Sequence, residues 1–322
     1  MSELSMPDRG RLVYVGNVIV DLVMQIDAIP EPGGDTIAHS SMHTAGGGFN
    51  TMIAAARDGA DVVFTGQYGT GPFGSTVRAA LRDSGFDVVQ TGIADVDSGY
   101  CVALVDASTE RTFVTSVGAE GMLTADDLAR VTLRENDIVF VSGYSLAHPS
   151  NAAAIPGWLE SIPGNVRVVL DPSPLIGELD ADVRERVLRR TDILTLNARE
   201  AQILSGGREK SAATERLSSM IRVGGSVIVR DGERGALLAR AGTAAVTIPA
   251  IEVTAVDSNG AGDAHGGVLT AALLRGAALP DAVRRANFAA ALAVTQVGPS
   301  TSPTATQIDA ALADAPRSQG RL

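Results

Sequence analysis

The chain has 322 residues, 45% of them hydrophobic, and a formal net charge of −11. That length can bury one large core or two modest ones, and the acidic balance argues against nucleic acid and anionic membrane as partners, since both require a basic surface. Cys101 is the single cysteine, which excludes an internal disulfide and a cysteine-rich metal cage.

The opening MSELSMPDRG is polar and lacks the basic-then-apolar order of a signal peptide. No apolar run approaches the roughly 20 residues that span a bilayer, so a cytoplasmic protein is expected. RLVYVGNVIVDLVMQI (11–26) reads as one strand opening the fold, with Asn17 and Asp21 interrupting its apolar residues. DAIPEPGGDT is a loop, and TAGGGFNTMIAAARDGA (44–60) is a Gly-rich turn running into an Ala-rich helix. DVVFTG follows as a short strand, GPFGSTVRAALRDSG as a helix and FDVVQTG as another strand.

Over 98–118, two alternating β-prone runs flank ASTE, the chemistry of a hairpin that projects from the main sheet. From Asp137 the apolar strands DIVFVSG, RVVLDPSP, DILTLN and SVIVRDG alternate with helical segments, the rhythm of an α/β fold. AAVTIPAIEVTAV is strand-like and leads into VDSNGAGDAHGG and then the helical GVLTAALLRG. The tail at 314–322 has nothing to pack and is expected to be flexible.

The stretch GAGD places Gly260, Ala261 and Gly262 directly before Asp263 at a helix start. Glycines admit a ligand to the backbone, and the free amides of a first helical turn stabilise negative charge. A carboxylate in that turn suits a base that deprotonates an alcohol attacking a phosphoryl group. The competing reading is an aspartate that merely caps the helix.

In AGGGFN, Gly46 and Gly47 can let a polyhydroxylated ligand lie against the backbone, with Asn50 offering a donor and an acceptor; a plain tight turn has the same pattern. Asp21 suits sugar hydroxyls or simple solvation. Asn197 and Glu200, three apart in LNARE, can orient metal-bound water near phosphates or form an ordinary capping box, and the spacing fits both. RDGERG (230–235) is a further turn where backbone can meet a nucleotide.

GTGPFG (69–74) matches the dinucleotide fingerprint. It is not at the first strand-helix turn, however, and FDVVQTG ends in Gln90, Thr91 and Gly92 rather than an acidic residue. The four histidines lack metal-ligand spacing, and Ser142 lacks a nucleophile elbow.

Taken together and in order, these segments resemble the ribokinase-like (PfkB) family of carbohydrate kinases, from Gly16 to about Pro303. VDSNGAGDAHGG is similar to that family's C-terminal signature and AGGGFNTMIAAARDGADVVFTGQYGTGPFG to its N-terminal one. GNVIVD, LNARE, RDGERG and ANFAAALAVTQVGPSTSP fall where its other functional segments lie.

The resemblance implies a Rossmann-type three-layer α/β/α sandwich with a largely parallel sheet and a small β lid. The main domain would comprise 1–21, 46–95 and 119–313, and the lid 22–45 and 96–118. It implies Asp263 as base, Gly260, Ala261 and Gly262 as anion hole, and Asp21, Gly46, Gly47 and Asn50 as sugar contacts. Asn197, Glu200, Arg230, Gly232, Gly235 and Asn287 would face ATP, with Glu200 placing Mg2+ through water. Asp257, Gly298 and Ser302 match positions around a monovalent cation such as K+. A homodimer through the lid is implied as well, and exposed hairpin edges give a physical reason for it.

The chain departs from the family at several points. Gly47 stands where a lysine is common, Phe49 adds an apolar surface beside Asn50, and Gly71 replaces a common Asp. Arg230 replaces a common Thr, Ser258 and Asn259 replace the usual Thr and its neighbour, and His265 replaces a common Phe. The expected activity is ATP-dependent phosphorylation of a primary hydroxyl on a small carbohydrate, a pentose such as ribose leading. A nucleoside kinase is the alternative, with Phe49 and Tyr100 able to stack on a base. An NAD(P)-dependent oxidoreductase and a non-catalytic sugar-binding protein are the remaining readings.

Overall fold

The computed structural model describes residues 10–108 and 110–315; the expectations about the N-terminal decapeptide and the extreme tail fall almost entirely outside them. Thirteen strands form in chain order: β1 (Leu12–Val15), β2 (Val18–Gln25), β3 (Ser40–Gly47), β4 (Val62–Phe64), β5 (Asp87–Val88), β6 (Tyr100–Val105) and β7 (Arg111–Ser116), then β8 (Ile138–Ser142), β9 (Arg167–Asp171), β10 (Ile193–Asn197), β11 (Ser226–Arg230), β12 (Ala236–Arg240) and β13 (Val246–Ile248).

Nine of them make one sheet in the order β13-β12-β11-β10-β9-β8-β1-β4-β5, parallel from β5 to β11 and antiparallel at β12 and β13. The central strands are predominantly apolar because both faces are covered. Leu12, Tyr14, Phe64 and Phe140 point to the layer holding helices Gly48–Arg57, Pro72–Asp83, Ala261–Leu274 and Leu279–Ala293. Val13, Val15, Val139 and Val141 alternate to the opposite layer, built on helices such as Pro149–Ser161 and Ala181–Arg190. The result is the three-layer sandwich. No helix among the described residues is long and apolar enough to cross a membrane.

The remaining strands form a separate sheet in the order β3-β2-β6-β7. The stretch expected as one strand over 11–26 is therefore two, in different sheets. The break falls at Gly16–Asn17, where a Cβ on Gly16 would lie 2.5 Å from the Tyr14 ring. The strand expected over AAVTIPAIEVTAV shrinks to β13. Pro249 removes a ladder donor, and the chain continues irregularly to the turn at Gly260. FDVVQTG supplies only the two residues of edge strand β5. Gly46 and Gly47 close strand β3 rather than sitting in a loop.

Candidate active site

The C-terminal ends of the parallel strands converge on one edge of the sheet, the side where open α/β folds take ligands. Ser142 pairs in register with Asp171, and Asn197 with Arg230, so the last residues of β8, β9, β10 and β11 lie in a row. Arg230 Nη1 donates to Asp171 Oδ2 at 2.9 Å and to Thr195 Oγ1 at 3.0 Å, and Nη2 lies 3.8 Å from Glu200 Oε2. Burial opposes the charge on Arg230, but Asp171 and Glu200 outweigh it and hold the guanidinium firmly protonated.

Glu200 is buried, and that burial, with Asp171 nearby, raises its pKa against the pull of Arg230. Asn197 and Glu200 do form the reciprocal capping box. Asn197 Oδ1 accepts from the Glu200 amide at 2.9 Å, and Glu200 Oε2 accepts from the Asn197 amide at 2.8 Å. The box fixes the Glu200 carboxylate at the sheet edge.

Helix Ala261–Leu274 points its N-terminus at this row. Gly260 has φ of 75°, and a Cβ there would fall 2.0 Å from the Pro299 carbonyl oxygen, so only glycine fits. No side chain caps the helix, which leaves its first amides available to an anion. A Cβ on Gly262 would sit 3.5 Å from Arg230 Nη2, so the guanidinium borders those amides.

Asp263 and Gly267 are four apart and share a helix face. That face presses on helix Gly48–Arg57. A Cβ on Gly267 would lie 2.3 Å from the Thr51 carbonyl oxygen, and Thr51 Oγ1 donates to Asp263 Oδ1 at 2.7 Å. Burial pushes the Asp263 carboxyl up to about 6, with Asp171 and Asp21 adding to the rise while Thr51 and Arg230 oppose it. A half-buried carboxylate near neutrality, beside open helical amides and a cation, is an arrangement that can take a proton from an alcohol.

On the other flank, Asp21 in β2 stands opposite Thr44 and Cys101. A Cβ on Gly46 would come 1.9 Å from Asp21 Oδ2, so the missing side chain is what lets the carboxylate lie there. Burial pushes Asp21 up to about 6. Gly47, at φ of 60°, turns the chain into the helix that carries Asn50, whose Oδ1 accepts from Ser300 Oγ at 2.6 Å. Asn17 is buried between the two sheets' first strands, and its Oδ1 has no partner.

Gly232 and Gly235, at φ of 59° and 90°, bend the β11–β12 turn at the same edge. Asn287 is buried, and its amide is already engaged: Nδ2 donates to the Ile248 carbonyl at 2.8 Å, and Oδ1 lies 3.2 Å from His265 Nε2. Its side chain thus ties helix Leu279–Ala293 to the end of β13. Burial, with Arg230, lowers His265 to about 3, so the imidazole is neutral.

GTGPFG offers no phosphate site. The Asp97 carboxylate accepts from the amides of Phe73 and Gly74 at 3.1 and 2.7 Å, filling the helix N-terminus with the chain's own anion.

Asp171, Thr51 and Tyr144 escaped the sequence reading, and Asn17 entered it only as a polar interruption of the first strand. Asp171 had a signal, the last position of an apolar strand. Thr51 had none, because its role exists only where two helices touch. Tyr144 is pushed up to about 12, first by burial and then by the charges of Asp263, Glu200 and Asp171. Among the described residues no group of three or more His, Cys, Asp or Glu is arranged to hold a metal ion by itself. Asp171 and Glu200 are both paired with Arg230, so a magnesium ion here would be held through its waters and substrate phosphates rather than by direct ligation.

A three-layer sandwich with a buried carboxylate beside uncapped helical amides is an arrangement that phosphoryl transfer to an alcohol can use. A family model described as pfkB family carbohydrate kinase matches residues 9–306, and the chain belongs to that family. It is a phosphotransferase with an alcohol acceptor. It is 29% identical over 299 residues to the uncharacterized sugar kinase YegV of Escherichia coli, covering 92% of each chain. It is 27% identical to the ribokinase of Haemophilus influenzae, covering 91% of this chain and 95% of the relative. In fold it is similar to Arabidopsis thaliana ribokinase complexed with ribose and ATP, with a TM-score of 0.76 at 22% identity over 96% of this chain and 100% of that one.

Proposed function

We propose that the protein transfers the γ-phosphoryl group of ATP to a primary hydroxyl of a small carbohydrate, a pentose leading. The observation that carries this reading is Asp263 in the first turn behind Gly260, raised to about 6 and hydrogen-bonded to Thr51. Asp21 and Asn50, with the Gly46–Gly47 backbone, hold the acceptor's hydroxyls. Asp263 takes the proton as the hydroxyl oxygen bonds to phosphorus and the bridging oxygen departs with ADP. The amides of Ala261 and Gly262, flanked by Arg230, meet the charge on the transferring group. Magnesium, placed by Glu200 and Asp171, supplies charge neutralisation on the phosphates when bound. The turn at Gly232–Gly235 borders the nucleotide.

The small sheet serves as lid, excluding water and limiting ATP hydrolysis. Its outer strand β7 is an unpaired edge with Phe113 and Val114 exposed, which supports pairing of two copies there.

A nucleoside acceptor is the second reading. Register places Val23, Met42, Ala103 and Phe113 side by side on the face that carries Asp21. Met42 and Phe113 are more than half exposed there, an apolar surface larger than a bare sugar needs.

The test is ADP release with magnesium-ATP against pentoses, hexoses, sugar acids, sugar phosphates and nucleosides. One strong responder fixes the acceptor. Asp263→Asn should cut kcat on it by about 10²–10⁴-fold with ATP binding retained. Wild-type turnover in that variant overturns the assignment of the base.

A further inference from the structure

The turn that leads into the anion hole is held by arginines at the place where the family resemblance puts a monovalent cation. Asp257 is buried, and its carboxylate is already surrounded by donors. Oδ1 accepts from the Asn259 amide at 2.8 Å and Oδ2 from the Gly298 amide at 2.9 Å. Arg111 Nη2 lies 2.6 Å from Oδ1, with the two side chains 23% and 4% exposed.

Several carbonyl oxygens around it accept hydrogen bonds as well. Val294 O accepts from the amides of Val256 and Asp257, and Thr301 Oγ1 donates to the carbonyls of Ala293 and Gly298. Arg57 Nη1 donates to Ser300 O at 2.6 Å and to Ser302 O at 2.9 Å. Among the buried side-chain atoms of the described residues here, the Ser302 hydroxyl lacks a partner. A monovalent cation needs several oxygens turned toward one point and tolerates no guanidinium there. These residues do not fit one.

We infer that Arg111 supplies the positive charge that organises the 257–262 turn, while Arg57 holds the Ser300 and Ser302 carbonyls, and that the protein works without potassium. Arg111 begins β7, every other residue of which is exposed, and it shares a face with Asp21. Its charge therefore arrives from the small sheet. Asp257 leads through Asn259 to Gly260, and Gly260 packs on Pro299, whose neighbour Ser300 holds Asn50. Closing the small sheet and setting the anion-hole turn become one event. Arg111 is a positioning residue, since it reaches the chemistry only through Asp257.

The inference rests on the kinase reading for its consequence but not for its test. Amide hydrogen exchange over 257–262 and 298–302 is measured on the full chain in potassium chloride and in choline chloride at equal ionic strength. Wild type, Arg111→Ala and Arg111→Lys are compared. In the wild type the two salts should give the same protection. In Arg111→Ala exchange at Asn259 and Gly298 should rise about tenfold in both salts, while Arg111→Lys keeps most of the protection. Turnover on the identified acceptor should follow, with kcat falling more than KM changes and no potassium response in the wild type. Potassium protection of the wild-type turn, or unchanged exchange in Arg111→Ala, overturns the inference. Failure to phosphorylate any of the tested acceptors would refute the proposed acceptor class and leave the exchange result standing.

Discussion

Asp263 and Asp21 are both pushed up to about 6, chiefly by burial. A carboxyl raised in the folded state keeps its proton where the unfolded chain has lost it. Stability from these two groups is therefore complete below about pH 4 and is lost as pH rises through about 6. With Asp263 as the proposed base, catalysis runs the other way, because the carboxyl must be ionised to accept a proton. The rate should fall below an apparent pKa near 6, and kcat against pH is the measurement. Thr51→Val removes the hydrogen bond that lowers the Asp263 pKa, so its acid limb should move to higher pH. An unmoved limb would mean that another group controls the profile.

At the scale of elements, the decisive feature is the contact between helices Gly48–Arg57 and Ala261–Leu274. Small residues let the backbones approach until Thr51 lies under Gly267 and beside Asp263. The start of the second helix depends on Gly260. Gly260→Ala demands a left-handed alanine, costing about 1–2 kcal/mol, and drives a methyl group into the Pro299 carbonyl. Its unfolding midpoint in urea should drop, and kcat should fall with it because the amides of 261 and 262 lose their aim. An active Gly260→Ala protein of wild-type stability would contradict the tight fit at Pro299.

For the whole molecule, the question is what the face of the small sheet meets across the cleft. Phe113 shares that face with Asp21, on the strand that Arg111 begins. Phe113→Ser should raise KM about tenfold for a nucleoside acceptor, the worth of one buried aromatic contact, and leave a free pentose within about twofold. Equal KM changes on both acceptors would remove the apolar face as a source of selectivity. Analytical ultracentrifugation of the same variant reads whether the edge also joins two copies.

The α/β order, the hairpin and the glycine turn before Asp263 were legible in the chain, because periodicity, turn chemistry and glycine placement act locally. Much of the candidate site was legible for the same reason: Asp21, Gly46, Asn197, Glu200 and Asp263 all sit in short patterns with a mechanical meaning. Those patterns left choices open. Spacing alone gave Asn197 and Glu200 two readings, and the capping box is the contact that formed. The split of residues 11–26 between two sheets, the engagement of Asn287 with His265 and Ile248, and the Arg111–Asp257 pair were not readable. Each joins residues remote in sequence or depends on which sheet a strand enters. Local propensity carries no information about such partners; only the packed fold brings them within bonding distance.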